Sequence, residues 1–311
     1  MTWPALSTIG DILKRAGLVE PARRRRAAIE QGGTFTPAVT ANDEWCADYK
    51  GWFRTADGAR CDPLTITDAH SRYLIETRIA AQTIEAAKAV FEACFHAVGL
   101  PDAIRCDNGS PFGSRGAGGL TRLSVWWLKL GVRPHFIRPA SPQENGRHER
   151  MHRTLKAETT KPPAANLSEQ QARFDRFRTH YNQERPHEAL GQAPPAKRWS
   201  ASSRLMPDRL EDPWYDAAHQ VRRVRTNGEI KWRGGYLFVG DALAGELVGL
   251  TEFDNDRHLV RFCGLDLGVI DNRQRRFLRF APLRHRLREA QEDPPKVSTI
   301  NPVQNVDHQP G

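Results

Sequence analysis

Apolar and polar positions alternate in three different ways along the chain. Residues 3–19 carry one short helical stripe, Ile9, Ile12 and Leu13, with Ser7 or Thr8 suited to the N-cap and Gly17 as a stop. From residue 44 the pattern becomes α/β. Residues 44–48 lead into a strand that 49–54 continue, Ala56-Asp57-Gly58-Ala59 signals a hairpin, and 61–68 and 71–79 give two further strands. Residues 83–98 place Ile84, Ala87, Val90, Phe91, Cys94 and Phe95 at helical spacing before Gly99. A buried strand over 103–107, a Gly-rich loop at 113–119, an apolar helix over 120–130 and a strand over 133–138 follow. Helical stretches from 147 to 156 and from 167 to 183 come next. This order predicts an α/β mixed sheet with helices packed on it. Phe91, Phe95, Trp126 and Trp127 are expected in its core.

Residues 219–280 change character. Short strands at 221–224, 229–232, 236–239, 247–253, 259–262 and 277–280 are separated by turn signals such as Asn227-Gly228 and Gly234-Gly235. They predict a small all-β barrel or sandwich within 214–288. The 201–213 stretch has the character of a linker, and the polar, Pro-containing 289–311 tail that of a disordered segment.

Length and charge narrow the class of partner. At 311 residues the chain has room for two domains with smaller appendages, and its net charge of +9 points to a polyanion. No apolar run approaches the roughly 18 residues of a membrane span. Residues 1–26 lack the apolar centre of a signal peptide and end in the basic cluster Arg23 to Arg26, so a cytoplasmic location is expected. The five cysteines are scattered without a CxxC pair, which supports neither a disulfide framework nor a zinc ribbon.

Three carboxylates stand out against that basic background. Asp48 interrupts an aromatic strand, where a buried carboxylate needs a cation. Asp107 ends a strand just before the turn Asn108-Gly109, and Glu149 lies in the first turn of a helix among Arg147, Arg150, Arg153 and Lys156. Two strand carboxylates and one at a helix start can converge on one sheet edge, an oxygen donor set for hard divalent cations. The bases suit a phosphate track.

These motifs occur in a recognisable order. Ala47-Asp48-Tyr49-Lys50-Gly51, Cys106-Asp107-Asn108-Gly109 and Pro142-Gln143-Glu144-Asn145-Gly146 leading to Glu149-Arg150 and Leu155-Lys156 resemble the integrase catalytic core of the retroviral-integrase and DDE-transposase superfamily. Bacterial insertion-sequence transposases of the IS481 type are the nearest group by these motifs. The likeness runs from about residue 35 to 199 and takes in the stretches 63–72 and 185–190. It implies an RNase H-like catalytic core over 35–200 with helices on both faces of the sheet. It also implies Asp48, Asp107 and Glu149 as catalytic ligands of Mg²⁺ or Mn²⁺. DNA strand cleavage and 3′-hydroxyl transfer at transposon terminal inverted repeats, joining them to target DNA, would be the reaction. The likeness implies a dimer or larger synaptic assembly, no membrane, and a bacterial, nucleoid-associated setting. Residues 1–30 resemble the end of a helix-turn-helix region with a basic linker, and the β domain resembles a C-terminal domain of related transposases.

Other readings compete at particular residues. Glu144 lies five residues before Glu149, but the Asn145-Gly146 turn and the downstream Leu155-Lys156 place Glu149 in register. His148-Glu149-Arg150-Met151-His152 matches the HExxH zinc-protease signature. That reading needs a third protein ligand, so both histidines are expected to be solvent-exposed. A catalytically idle DNA-binding remnant is the other alternative. Asp62 and Asp68 lie on strands near Asp48, with Asp68 expected in a structural hydrogen-bonding role, and Lys50 is expected to be a solvated base.

Overall fold

A computed structural model describes residues 38–137 and 146–280, together with Ala16 alone. The helix expected over 3–19, Glu144 and the 289–311 tail lie outside the described residues. Five strands form the first sheet: β1 (Glu44–Tyr49), β4 (Pro63–Asp68), β5 (Leu74–Ile79), β6 (Ala103–Cys106) and β7 (Arg133–Phe136). Their order is β5-β4-β1-β6-β7. The first three pair antiparallel, as their short connections allow, whereas β1–β6 and β6–β7 are parallel and need helical crossovers. The hairpin after β1 is the separate pair β2 (Phe53–Arg54) and β3 (Arg60–Cys61), so β1 ends five residues earlier than the continuous strand expected to 54.

Those crossovers are α1 (Ile84–Val98) and α2 (Arg122–Lys129). Thr83 caps α1 by accepting from the Ala86 N–H, and Gly99 ends it at φ 79°. A reciprocal Thr121–Ser124 capping box starts α2. Both helices cover one sheet face, where Trp45, Leu64, Ile66 and Ile104 meet Phe91, Phe95, Trp126 and Trp127. The opposite face is covered by α3 (Gly146–Thr159) and α4 (Leu167–Gln183), through Met151, Leu155, Phe174 and Phe177 against Cys61 and Leu74. This is the mixed sheet with helices on both faces that the RNase H-like pattern implies.

The C-terminal part is all-β but open. Strands β8 (Gln220–Arg223), β11 (Leu247–Asp254), β12 (Arg257–Phe262), β13 (Leu265–Asp271) and β14 (Arg276–Arg279) form an antiparallel sheet ordered β14-β13-β12-β11-β8. Strands β9 (Glu229–Trp232) and β10 (Gly235–Phe238) make a separate ribbon. Among the described residues β8 and β14 remain edges, so the expected closed barrel is corrected to a sheet with a ribbon. Its interior-facing residues pack partly on the first domain, which removes the need to close on itself. The 265–271 strand was not expected, because Gly264, Asp266, Gly268 and Asp271 have turn character. Gly268 fits at φ 154°, with the β14 backbone lying where a side chain would begin.

Two connections also depart from expectation. The Gly-rich 113–119 loop is no free surface loop: Ala117 and Leu120 join Val125 and Leu128 of α2 in one core with Leu265 and Leu267 of the C-terminal sheet. Gly118, at φ 60°, would bring a Cβ to 3.3 Å from Leu267 Cδ2. The 201–213 stretch is tied down on the first domain. Arg204 donates to the Pro101, Leu130 and Gly131 carbonyls, and the Leu100 N–H donates to the Arg204 carbonyl at 2.7 Å.

Candidate active site

The site lies on the α3 face of the first sheet. Strand alternation sends Trp45 and Ala47 into the α1–α2 core, leaving Cys46 and Asp48 toward α3. The parallel ladder aligns Cys46 with Arg105. The ladder ends at Cys46 and Arg105; Asp48 lies two residues further along β1 and Asp107 directly follows β6, so both lie toward the C-terminal ends of neighbouring strands. Asp107 turns with Asn108-Gly109: the Gly109 N–H donates to Asp107 Oδ1 at 3.1 Å, and Asn108 Nδ2 donates to the Ile137 carbonyl at 2.7 Å. Burial pushes the Asp107 carboxyl above its ordinary range, and the Gly109 N–H only partly opposes this. Among the described residues no basic side chain pairs with it. A partly desolvated carboxylate in that state gains from a bound cation.

Helix α3 packs on this side of the sheet, against β4, with two distinct faces. His148, Met151, His152, Leu155 and Thr159 are buried, at the spacing of one helical stripe. Glu149, Arg150, Arg153 and Lys156 are exposed on the other side. Arg147 belongs to α3, but its side chain, like Glu144, lies outside the described residues.

The buried histidines meet β4. His148 Nε2 is 2.6 Å and His152 Nε2 2.7 Å from the Thr65 hydroxyl, while His148 Nδ1 is 3.2 Å from the Thr67 hydroxyl. Thr65 also donates to the Asp48 carbonyl at 3.0 Å, so one hydroxyl ties both rings to β1. The rings stand nearly perpendicular at 88°. Burial lowers the His148 pKa to about 3, helped by Arg105. Burial also lowers that of His152 to about 2, with further lowering by His148 and Lys50. Both imidazoles are therefore neutral at pH 7.

This corrects the expectation that both histidines are solvent-exposed. They share the buried stripe of Met151 and Leu155, a spacing visible in the sequence but disguised by polar residue type. The structure also supplies the third protein ligand that a zinc site on this helix required. Donor atoms of Asp48, His148 and His152 all lie within 4.8 Å of one another. Among the described residues this is the one His/Cys/Asp/Glu grouping of that kind, and Asp107 and Glu149 stand outside it.

The surrounding charges have separate roles. Arg105, buried beside Cys46, donates from Nη2 to Cys46 Sγ at 2.8 Å and lies 3.4 Å from Glu44, which also contacts His135 Nδ1 at 2.8 Å. The sequence reading missed this buried network, whose members have no shared spacing. Asp68 is structural as expected, accepting from the Asn42 N–H and from the N–H and hydroxyl of Ser71. Asp62 is held by Arg60 and Gln82. Lys50 is half-buried rather than fully solvated, and its pKa is lowered by burial and then by Lys156. That repulsion places Lys50 and Lys156 in one basic patch beside Asp48.

Comparison with known proteins adds the family context. A model described as "Integrase core domain" matches residues 38–142, and a second with the same description matches 130–195. An insertion element IS136 protein from Agrobacterium fabrum is 32% identical over 181 residues, covering 55% of this chain and 88% of that protein. An insertion element IS476 protein from Xanthomonas euvesicatoria is 27% identical over 184 residues, covering 58% of this chain but only 50% of its own length. The chain thus spans about half of that relative. A solved structure of the HTLV-2 integrase catalytic core domain in complex with magnesium covers 51% of this chain and 97% of its own, at 14% identity and a TM-score of 0.41. Among the described residues no helix is long and apolar enough to cross a membrane.

Proposed function

This chain belongs to the integrase core family, within the superfamily of retroviral integrases and DDE transposases, and from that premise we propose that it is an insertion-sequence transposase. In this reading it cleaves DNA at the element's terminal repeats and joins the freed 3′-hydroxyls to target DNA. Asp48, Asp107 and Glu149 are the catalytic, metal-holding carboxylates.

The observation that carries the proposal is the parallel pairing of the central strands β1 and β6, toward whose C-terminal ends Asp48 and Asp107 lie. Their oxygen donors fit Mg²⁺ or Mn²⁺, and the burial that raises Asp107's pKa is what a hard cation offsets. A divalent cation bound there supplies an activated water or 3′-hydroxyl and stabilisation of the leaving oxygen. The chain's own residues do the rest. Asp48 and Asp107 hold the cation from the ends of their strands, and the His148–Thr65–His152 contacts hold α3 against the sheet. Glu149, in the first turn of that helix, is the third carboxylate of this reading. Arg150, Arg153 and Lys156, with Arg147 in the same turn of sequence, form the track along which DNA phosphates run. The net charge of +9 supports a polyanionic substrate. Two ends must be processed together, which favours a dimer or larger assembly on DNA.

The test uses DNA carrying the ends of the host element, with Mg²⁺ or Mn²⁺. The wild-type chain is expected to nick and transfer the strands. Glu149→Gln should abolish both, while Glu144→Gln should leave them in place. Loss with Glu144→Gln and retention with Glu149→Gln would move the third carboxylate to Glu144. DNA binding without any cleavage would instead favour an idle DNA-binding remnant.

A further inference from the structure

We propose that Asp48, His148 and His152 form a second metal site, selective for a borderline-soft divalent cation, zinc above all, and that zinc there inhibits the DNA-processing centre by taking Asp48 from it. The inhibitory part rests on the proposed role of Asp48 in that centre. The binding part rests on geometry alone.

The donor set differs in chemistry from three carboxylates. Two imidazole nitrogens and one carboxylate are the ligands of zinc sites that hold the metal through three protein groups and leave one position open. Magnesium prefers oxygen donors in octahedral geometry and retains water, so it is disfavoured by this set. All three donors lie within 4.8 Å of one another, and both histidines are buried.

The frame is also stiff. His148 and His152 stand on adjacent turns of α3, packed edge to face with ring centroids 4.6 Å apart. The Thr67 hydroxyl engages His148 Nδ1, which fixes the ring and leaves Nε2 directed at the site, the usual supporting contact of a metal-bound histidine. Both Nε2 atoms converge on the Thr65 hydroxyl, so the nitrogens already point to one place. A metal entering would exchange those hydrogen bonds for coordination.

Nearby cations oppose binding without preventing it. Arg150, Arg153 and Lys156 occupy the exposed face of α3, opposite the buried stripe. Arg105 is already neutralised by Glu44 at 3.4 Å. Lys50 lies near enough to Asp48 for that carboxylate to offset part of its charge.

The deciding experiment is a titration of the metal-free, full-length chain with Co²⁺ and then Zn²⁺ in the absence of DNA. One cobalt per chain should bind with the visible absorption of a nitrogen- and oxygen-ligated, four-coordinate ion, and one equivalent of zinc should bleach it. His148→Asn and His152→Asn should each weaken binding roughly tenfold or more. Asp107→Asn and Glu149→Gln should leave it in place. Absence of the cobalt spectrum, or equal zinc affinity in the histidine variants, overturns the site. So does its loss in Asp107→Asn. Should a histidine variant fail to fold by circular dichroism, Asp48→Asn makes the same comparison, and the wild-type cobalt spectrum stands independently.

A second arm adds zinc to Mg²⁺-dependent strand transfer. Inhibition that tracks occupancy of the cobalt-marked site is expected, and full activity with zinc bound overturns the sharing of Asp48. Complete lack of strand transfer without zinc would count against the transposase reading, while the titration would still decide the metal site.

Discussion

His148 and His152 show how much one hydroxyl can organise. Thr65 donates its one hydroxyl proton to the Asp48 carbonyl and so accepts from both imidazoles, and its loss removes several buried contacts at once. Thr65→Val should destabilise the chain by about 1–3 kcal/mol, the usual cost of leaving buried polar groups unsatisfied, as measured by urea denaturation. The same histidines set a pH dependence. Their folded pKa values, about 3 and about 2, lie below the ordinary 6.5, so the unfolded chain binds more protons than the folded one between those limits. Stability of the metal-free chain is therefore complete above about pH 6.5 and falls as pH drops below it, by up to ~1.4 kcal/mol per pH unit for each histidine. Urea midpoints measured from pH 7 to pH 5 should show that fall, and His152→Gln should reduce its slope. An unchanged midpoint would mean that the rings are not buried in the neutral form.

At the scale of elements, the sequence was most legible where type and period agreed. Phe91, Phe95, Trp126 and Trp127 occupy the core expected of them, and the capped helices begin where Thr83 and Thr121 stand. It was least legible where an element is stabilised by something distant. The 113–119 loop looks flexible by composition, yet Gly118 stands where Leu265 and Leu267 of the C-terminal sheet approach closely. Strand β13 was hidden by its turn-like residues because its pairing to β12 and β14, not local preference, makes it a strand. The histidine stripe of α3 was legible as a period and overlooked as a type. Gly118→Val tests the loop reading: positive φ and contact with Leu267 should together cost at least about 1–3 kcal/mol and expose the junction to protease. Unchanged stability and protease resistance would show that the approach is not tight.

For the whole molecule, the two sheets share the core built from α2, the 113–119 loop and the C-terminal strands, and Lys129 Nζ bridges them to Glu246 at 2.9 Å. Arg150, Arg153 and Lys156 are exposed on α3, and the half-buried Lys50 extends that charge from Lys156 toward Asp48. Binding to duplex DNA should therefore weaken with salt, and Lys156→Ala should lower the slope of log affinity against log salt by about one, as read by fluorescence anisotropy. A slope untouched by this change would place the phosphate track elsewhere. The sequence order of the three carboxylates did not show that β1 and β6, which lead to Asp48 and Asp107, are neighbouring parallel strands. The most direct test of the central claim compares wild-type chain with Asp107→Asn in a strand-transfer assay on end-bearing DNA with Mg²⁺, alongside DNA retention. The account predicts that Asp107→Asn binds DNA with little change and transfers none of it; strand transfer at the wild-type rate by this variant would contradict it.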